Sequence, residues 1–162
     1  MAALARIARA HPEVQLVYPV HLSPYVQEVA HRHLDGIPNV LLTRPLGVLD
    51  MHNLMARSHL VMTDSGGLQE EAPALGKPVL VLRRETERPE AVAAGTVRVI
   101  GTEEETIVAQ AQALLTDGAV YHAMAHAVNP YGDGEACRRI ADDLLYYFGL
   151  RPAPAEDFSA AR

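Results

Sequence analysis

Five short runs of aliphatic and β-branched residues recur along the chain, at Val14–Val20, Val40–Thr43, Leu60–Thr63, Val79–Leu82 and Val97–Ile100. Each is almost continuously apolar rather than alternating, the pattern of strands covered on both faces of a parallel sheet. Amphipathic segments at Pro24–Leu34, Leu49–Ser58, Gly67–Leu75 and Pro89–Ala94 separate them, and Glu103–Leu115, Ala119–His126 and Gly134–Phe148 follow. Parallel strands joined through helices need right-handed crossovers, so the alternation predicts an α/β fold built on a doubly wound parallel sheet. Gly76-Lys77-Pro78 fits this order, with a glycine past the end of a helix and a proline entering a strand. Met1–Ala10 reads as a helix with no strand ahead of it. Doubly wound domains open on a strand, so the sheet is expected to lack its first one. Residues 1–150 are expected to form one domain, and the aperiodic 151–162 to be a disordered tail.

Composition narrows the partners. A chain of 162 residues with 49% hydrophobic residues is long enough for one core. A net charge of −6 leaves no broad cationic surface for nucleic acid or an anionic membrane, although a small cationic site for a phosphate remains compatible with it. No apolar run approaches the ~20 residues of a membrane-spanning helix. The opening Met-Ala-Ala-Leu-Ala-Arg-Ile-Ala is too short and too polar for a secretory segment. The single cysteine, Cys137, excludes an internal disulfide and fits a reducing compartment, so a cytoplasmic location is expected. Its place in a helical segment predicts a buried, inert thiol.

The chemistry concentrates between Leu60 and Val79. There an apolar strand runs into Thr63-Asp64-Ser65-Gly66-Gly67 and a helix follows at once. A helix start presents unpaired N–H groups, and two glycines let a pyrophosphate approach the backbone. Ser65 offers its hydroxyl either to a phosphate oxygen or to the helix as a cap. An ordinary capped turn explains the same residues equally well. Glu70 and Glu71 fall in the first helical turn, where carboxylates favour the helix dipole. Glu71 is also placed to accept the two hydroxyls of a ribose.

The run Arg83-Arg84-Glu85-Thr86-Glu87-Arg88-Pro89-Glu90 follows the next strand and so reaches the same crevice at the strands' carboxyl ends. A solvated charged loop is the plain reading, and an arginine fork on a phosphate or a pyrimidine carbonyl, above all at Arg88, is the sharper one. His21 also follows a strand. His31 and His33 fall on different helix faces. His122 and His126 share a face with no third ligand, which argues against a metal site.

Thr63-Asp-Ser-Gly-Gly-Leu-Gln-Glu-Glu-Ala-Pro73, Gly76-Lys-Pro-Val-Leu80 and Glu85-Thr-Glu-Arg-Pro-Glu-Ala91 resemble the non-hydrolysing bacterial UDP-N-acetylglucosamine 2-epimerases. So do Tyr18-Pro-Val-His-Leu22, Gly95-Thr-Val-Arg-Val-Ile-Gly-Thr102 and Asn129-Pro-Tyr-Gly-Asp-Gly134. The likeness is collinear from about Val14 to Phe148. It covers only the second Rossmann-like domain of that family's glycosyltransferase-B-like pair. The resemblance implies that Ser65, Gly66 and Gly67 hold the diphosphate of UDP-N-acetylglucosamine, Glu71 the ribose hydroxyls, and Arg88 the nucleotide end. It implies uracil contacts at Leu46 and Met51, where the family's usual polar and aromatic side chains are replaced. His21 resembles a residue lining a second, activating UDP-N-acetylglucosamine site.

The family's reaction eliminates UDP to a 2-acetamidoglucal and re-adds it with C2 inverted, with no metal or nicotinamide cofactor. The acid and base groups that the resemblance implies have no match here, so no catalytic residue is assigned and the chain alone is expected to be inactive. Two other readings stay open: a glycosyltransferase domain of the same architecture, and a non-catalytic nucleotide-sugar-binding module. A homodimer or a complementing amino-terminal domain is the expected partner.

Overall fold

The computed structural model describes residues 1–158. In chain order the elements are α1 (Ala2–Ala10), β1 (Leu16–Pro19), α2 (Pro24–Leu34), β2 (Val40–Thr43), α3 (Val48–Arg57), β3 (Val61–Thr63) and α4 (Leu68–Ala74). β4 (Val79–Val81), α5 (Pro89–Ala94), β5 (Val97–Val99), α6 (Glu104–Thr116), α7 (Gly118–Ala125) and α8 (Ala136–Tyr147) complete them. Local signals set several ends. Pro24 and Pro89 open α2 and α5, where a missing N–H costs nothing, and Gly95 closes α5 at φ 82° in the left-handed region. Asp117 caps α7, its carboxylate accepting the N–H groups of Ala119 (2.9 Å) and Val120 (3.2 Å).

All pairing is parallel, but the strands form two sheets rather than one. β1 pairs with β2, and β3 pairs with β4, which pairs with β5. β1 and β3 are not hydrogen-bonded to each other. The single doubly wound sheet expected from the sequence is thus divided between β1 and β3.

The core follows from this layout. β4 is central in its sheet, and Val79, Leu80 and Val81 are all fully buried. Leu80 points to one face, with Ile100, Ile107 and Leu114. Val79 and Val81 point to the other, with Met55, Val61, Ala72 and Ala91. Each buried valine, leucine, isoleucine or methionine among them contributes ~2 kcal/mol by leaving water. Helix α1 ties the two sheets together. Its Ala3 and Ile7 join the Leu80 cluster, while Ala5 and Ala8 pack with Leu34 and Ile37, against Tyr18 and Leu42. Asn39 fastens the turn after α1 by donating its amide to the carbonyls of Ala8 (2.9 Å) and Val14 (2.7 Å).

Helix α8 differs from the rest. None of its residues is buried, and Ile140, Leu144, Leu145, Tyr147 and the following Phe148 are exposed. Cys137 is consequently exposed, which corrects the expectation of a buried thiol. A helical position buries a side chain only where another element covers that face, and none covers this one among the described residues. Residues 151–158 carry no helix or strand. Arg151 pairs with Asp142 (2.7 Å), and the Ala155 N–H donates to Asp143 (2.8 Å). The remainder of the expected tail, 159–162, lies outside the described residues.

Candidate functional site

β3 ends at Thr63, whose hydroxyl accepts the N–H of Ser65 (3.0 Å) and turns the chain sharply. Gly67 is the residue that caps α4, with φ −63° and ψ −43°, and no side chain bonds the first turn. Ser65 thus leaves its hydroxyl exposed at the loop's crest and does not cap the helix. The carbonyls of Gly66 and Gly67 accept the N–H groups of Gln69 (3.2 Å), Glu70 (2.9 Å) and Glu71 (3.0 Å). The N–H groups of Gly66, Gly67 and Leu68 find no acceptor among the described residues, as first-turn amides do not. A Cβ on Gly66 would come within 2.5 Å of Glu87 Oε1, so the loop and the charged segment after β4 approach closely there.

A buried side chain links that segment to the loop. Gln69 is fully buried; its amide donates to the Ser65 carbonyl (3.2 Å), and its carbonyl oxygen accepts the Thr86 hydroxyl (2.5 Å). Thr86 Oγ1 in turn accepts the Arg88 N–H (3.0 Å). The chain Ser65–Gln69–Thr86–Arg88 therefore fixes the distance between the glycine loop and Arg88. The Arg88 guanidinium forms an ion pair with Glu70, which holds it still more firmly protonated than usual. Glu87, bonded to its own backbone N–H and facing Arg83 and Arg88, has its carboxyl pulled below the ordinary range. Tyr131, from the loop before α8, packs against the buried cluster that includes Val61 and Ala91, and burial raises its hydroxyl above the ordinary value.

On the other side of the loop, Glu71 Oε2 accepts from His52 Nε2 at 2.9 Å. Because a carboxylate only accepts, that histidine nitrogen carries the proton. His52 sits on α3 next to Met51, which is half-buried against the cluster of Met55 and Val61. Leu46 is half-buried in the segment entering α3. His21 lies apart. It is exposed beyond β1, and its Nδ1 accepts the Ser23 N–H (3.1 Å). Burial first, and the Asp64 charge second, push the Tyr18 hydroxyl up.

The structure thus gathers Ser65, Gly66, Gly67, Glu71 and Arg88 around the carboxyl ends of β3 and β4, where open α/β sheets bind their ligands. Sequence reasoning missed Gln69, Thr86 and His52. Gln69 was legible through its spacing: it shares a helix face with the buried Ala72 and Pro73, so a helical wheel puts it inside. Thr86 and His52 carry no local signal, because their partners are distant in sequence.

Residues 1–145 match the family described as UDP-N-acetylglucosamine 2-epimerase. The UDP-N-acetylglucosamine 2-epimerase of Bacillus subtilis is 54% identical over 157 residues, covering 97% of this chain and 41% of that protein. The S. aureus MnaA–UDP co-structure aligns with a TM-score of 0.92 and 46% identity over 98% of this chain and 43% of that one. The Neisseria meningitidis UDP-GlcNAc 2-epimerase bound to UDP-GlcNAc aligns with a TM-score of 0.83 and 44% identity, over 89% of this chain and 40% of that one. The chain therefore spans about two fifths of the length of these relatives. With its Rossmann-like parallel strands and its glycine loop opening α4, the chain belongs to the UDP-N-acetylglucosamine 2-epimerase family.

Proposed function

We propose that this chain is the UDP-binding part of an enzyme interconverting UDP-N-acetylglucosamine and UDP-N-acetylmannosamine, by elimination of UDP and its re-addition. The observation that carries the reading is the unpaired row of loop amides at Gly66, Gly67 and Leu68, within a fold that aligns closely with relatives holding UDP and UDP-N-acetylglucosamine. These amides and the Ser65 hydroxyl bind the diphosphate oxygens. Glu71 accepts both ribose hydroxyls, a role for which His52 holds the carboxylate in place until the sugar arrives. Arg88 faces the nucleotide end, while Leu46 and Met51 border the base. Met51 supplies an apolar edge there in place of aromatic stacking. His21 belongs to a second nucleotide-sugar site.

No group in this chain is assigned as acid or base, so its contribution is binding and orientation. A homodimer or a complementing amino-terminal domain, a cytoplasmic location and a place in cell-envelope polysaccharide synthesis belong to the same proposal.

The test is calorimetry of UDP with the chain and its Gly67→Val variant. Gly67 has an ordinary helical φ, and a Cβ there meets Glu71 Oε1 only at 3.4 Å, so the fold accepts a side chain. That side chain projects where the diphosphate lies, and UDP binding is expected to fall below detection while the far-UV spectrum stays native. Equal affinity in both proteins would reduce the loop to a turn.

A further inference from the structure

The two loop glycines open onto different neighbours. A Cβ on Gly66 would come within 2.5 Å of Glu87 Oε1 and 3.6 Å of its carboxyl carbon, whereas one on Gly67 meets nothing nearer than Glu71 Oε1 at 3.4 Å. The room left by Gly66 is thus filled by a carboxylate, and the room at Gly67 stays open. The two oxygens of Glu87 are divided between different tasks. Oε2 accepts from Arg83 Nη1 at 2.7 Å, and Oε1 faces the loop. The backbone around Glu87 is held from both sides: Thr86 donates to the buried Gln69, and Arg88 Nη1 donates to the Glu87 carbonyl (3.3 Å). The Glu87 side chain itself is half exposed, at 49%.

That carboxylate keeps its charge. Its own backbone N–H, and then the Arg83 and Arg88 cations, hold it below the ordinary range. A C–C bond is about 1.5 Å and consecutive Cα atoms lie about 3.8 Å apart, so Oε1 and a phosphate on the Gly67 amide fall within roughly one Debye length, ~10 Å, at 0.1 M salt. Repulsion over that distance grows with the charge of the phosphate. The terminal phosphate of a free nucleoside diphosphate loses its second proton near about pH 6, and so carries two charges at about pH 8; esterified to a sugar, it carries one.

We infer that Glu87 sets ligand specificity by charge, disfavouring a free nucleoside diphosphate relative to the same diphosphate esterified to a sugar. The inference rests on the proposed binding of the diphosphate at this loop. Base and ribose are common to both ligands, so Leu46, Met51 and Glu71 serve each alike, and the carboxylate beside Gly66 acts on the difference at the phosphate end. In a reaction that eliminates and re-adds UDP, it raises the free energy of the state holding free UDP, which favours re-addition or release over accumulation of that state.

The test is Glu87→Gln, which keeps the shape and removes the charge at a half-exposed position. UDP and UDP-N-acetylglucosamine are titrated calorimetrically into the chain and the variant in metal-free buffer at about pH 8, at about 20 mM and about 300 mM salt, with far-UV spectra recorded for both proteins. A unit charge ~8 Å away shifts an equilibrium about twofold in bulk water and about thirtyfold at an effective dielectric of ~20. The ratio of UDP to UDP-N-acetylglucosamine affinity should therefore rise about fivefold in the variant at low salt, and by less than about twofold at high salt. Any contacts of the sugar itself cancel when the two ratios are compared. A low-salt ratio that changes by less than about twofold, an equal rise at both salts, or parallel weakening of both ligands would each overturn the inference. The last would assign Glu87 to the architecture of the loop. Failure of the unaltered chain to bind either ligand would overturn the nucleotide-binding reading together with this one, whereas binding with an unchanged ratio removes the charge-sorting role alone.

Discussion

Gln69→Met isolates the buried link between the glycine loop and Arg88. Methionine keeps the length and nearly the volume of glutamine but neither donates nor accepts strongly, so packing around Ala72 and Pro73 survives while two hydrogen bonds vanish. Each contributes about 1 kcal/mol net. Their losses differ in consequence. The Ser65 carbonyl lies in an exposed residue and recovers a bond to water, whereas the Thr86 hydroxyl is half-buried and recovers less. The expected destabilisation is therefore ~2 kcal/mol, which for a chain of this size lowers Tm by about 4–8 °C. Urea denaturation measures the first quantity and calorimetry the second. Release of Thr86 also frees the Arg88 backbone, so UDP affinity should fall about tenfold, equivalent to ~1.4 kcal/mol. Stability within about 0.5 kcal/mol of the parent, together with unchanged UDP affinity, would refute the reasoning, because that is the range of uninvolved surface substitutions.

The chain alone should not epimerise UDP-N-acetylglucosamine. Proton NMR after long incubation is the assay, and appearance of the manno epimer, lost in Glu71→Ala, would contradict the proposed division of labour. Asp133 accepts a two-pronged bond from Arg139, at 2.7 Å on each oxygen, and Arg139 holds its carboxyl well below the ordinary range. A depressed folded pKa adds stability above the unfolded value of about 3.9 that fades as pH falls toward the folded one. Protection factors of the α8 amides, taken relative to their intrinsic exchange rates, should therefore fall below about pH 4, and Asp133→Asn should remove that fall; pH-independent protection of α8 would deny the pair this role. The exposed Ile140, Leu144, Tyr147 and Phe148 predict self-association, which light scattering across a dilution series reads; a 17.6 kDa monomer at every concentration would contradict it.

Much of the fold was legible in the sequence because its determinants are local. Pro24 and Pro89 start helices wherever they stand before an amphipathic run, and Gly95 ends one because it takes φ 82° without a Cβ penalty. The strands were legible as continuous apolar runs, since burial on both faces leaves no polar alternation. The glycine loop was legible for the same reason: a strand, two glycines and an acidic first turn adjoin in sequence.

The tertiary structure alone decided what depends on distant partners. Periodicity gave parallel strands but could not say which of them pair. β1 pairs only with β2, and β3 only with β4, because pairing follows which strand edges meet in space. Cys137 lies on a helix of suitable pattern and is nonetheless exposed, since an amphipathic face is buried only when another element meets it. His52 reaches Glu71 across 19 positions, and Gln69 reaches Thr86 across 17. Hydrogen bonds fall off within a few ångströms and take no account of sequence separation, so only the folded chain brings these donors and acceptors within range.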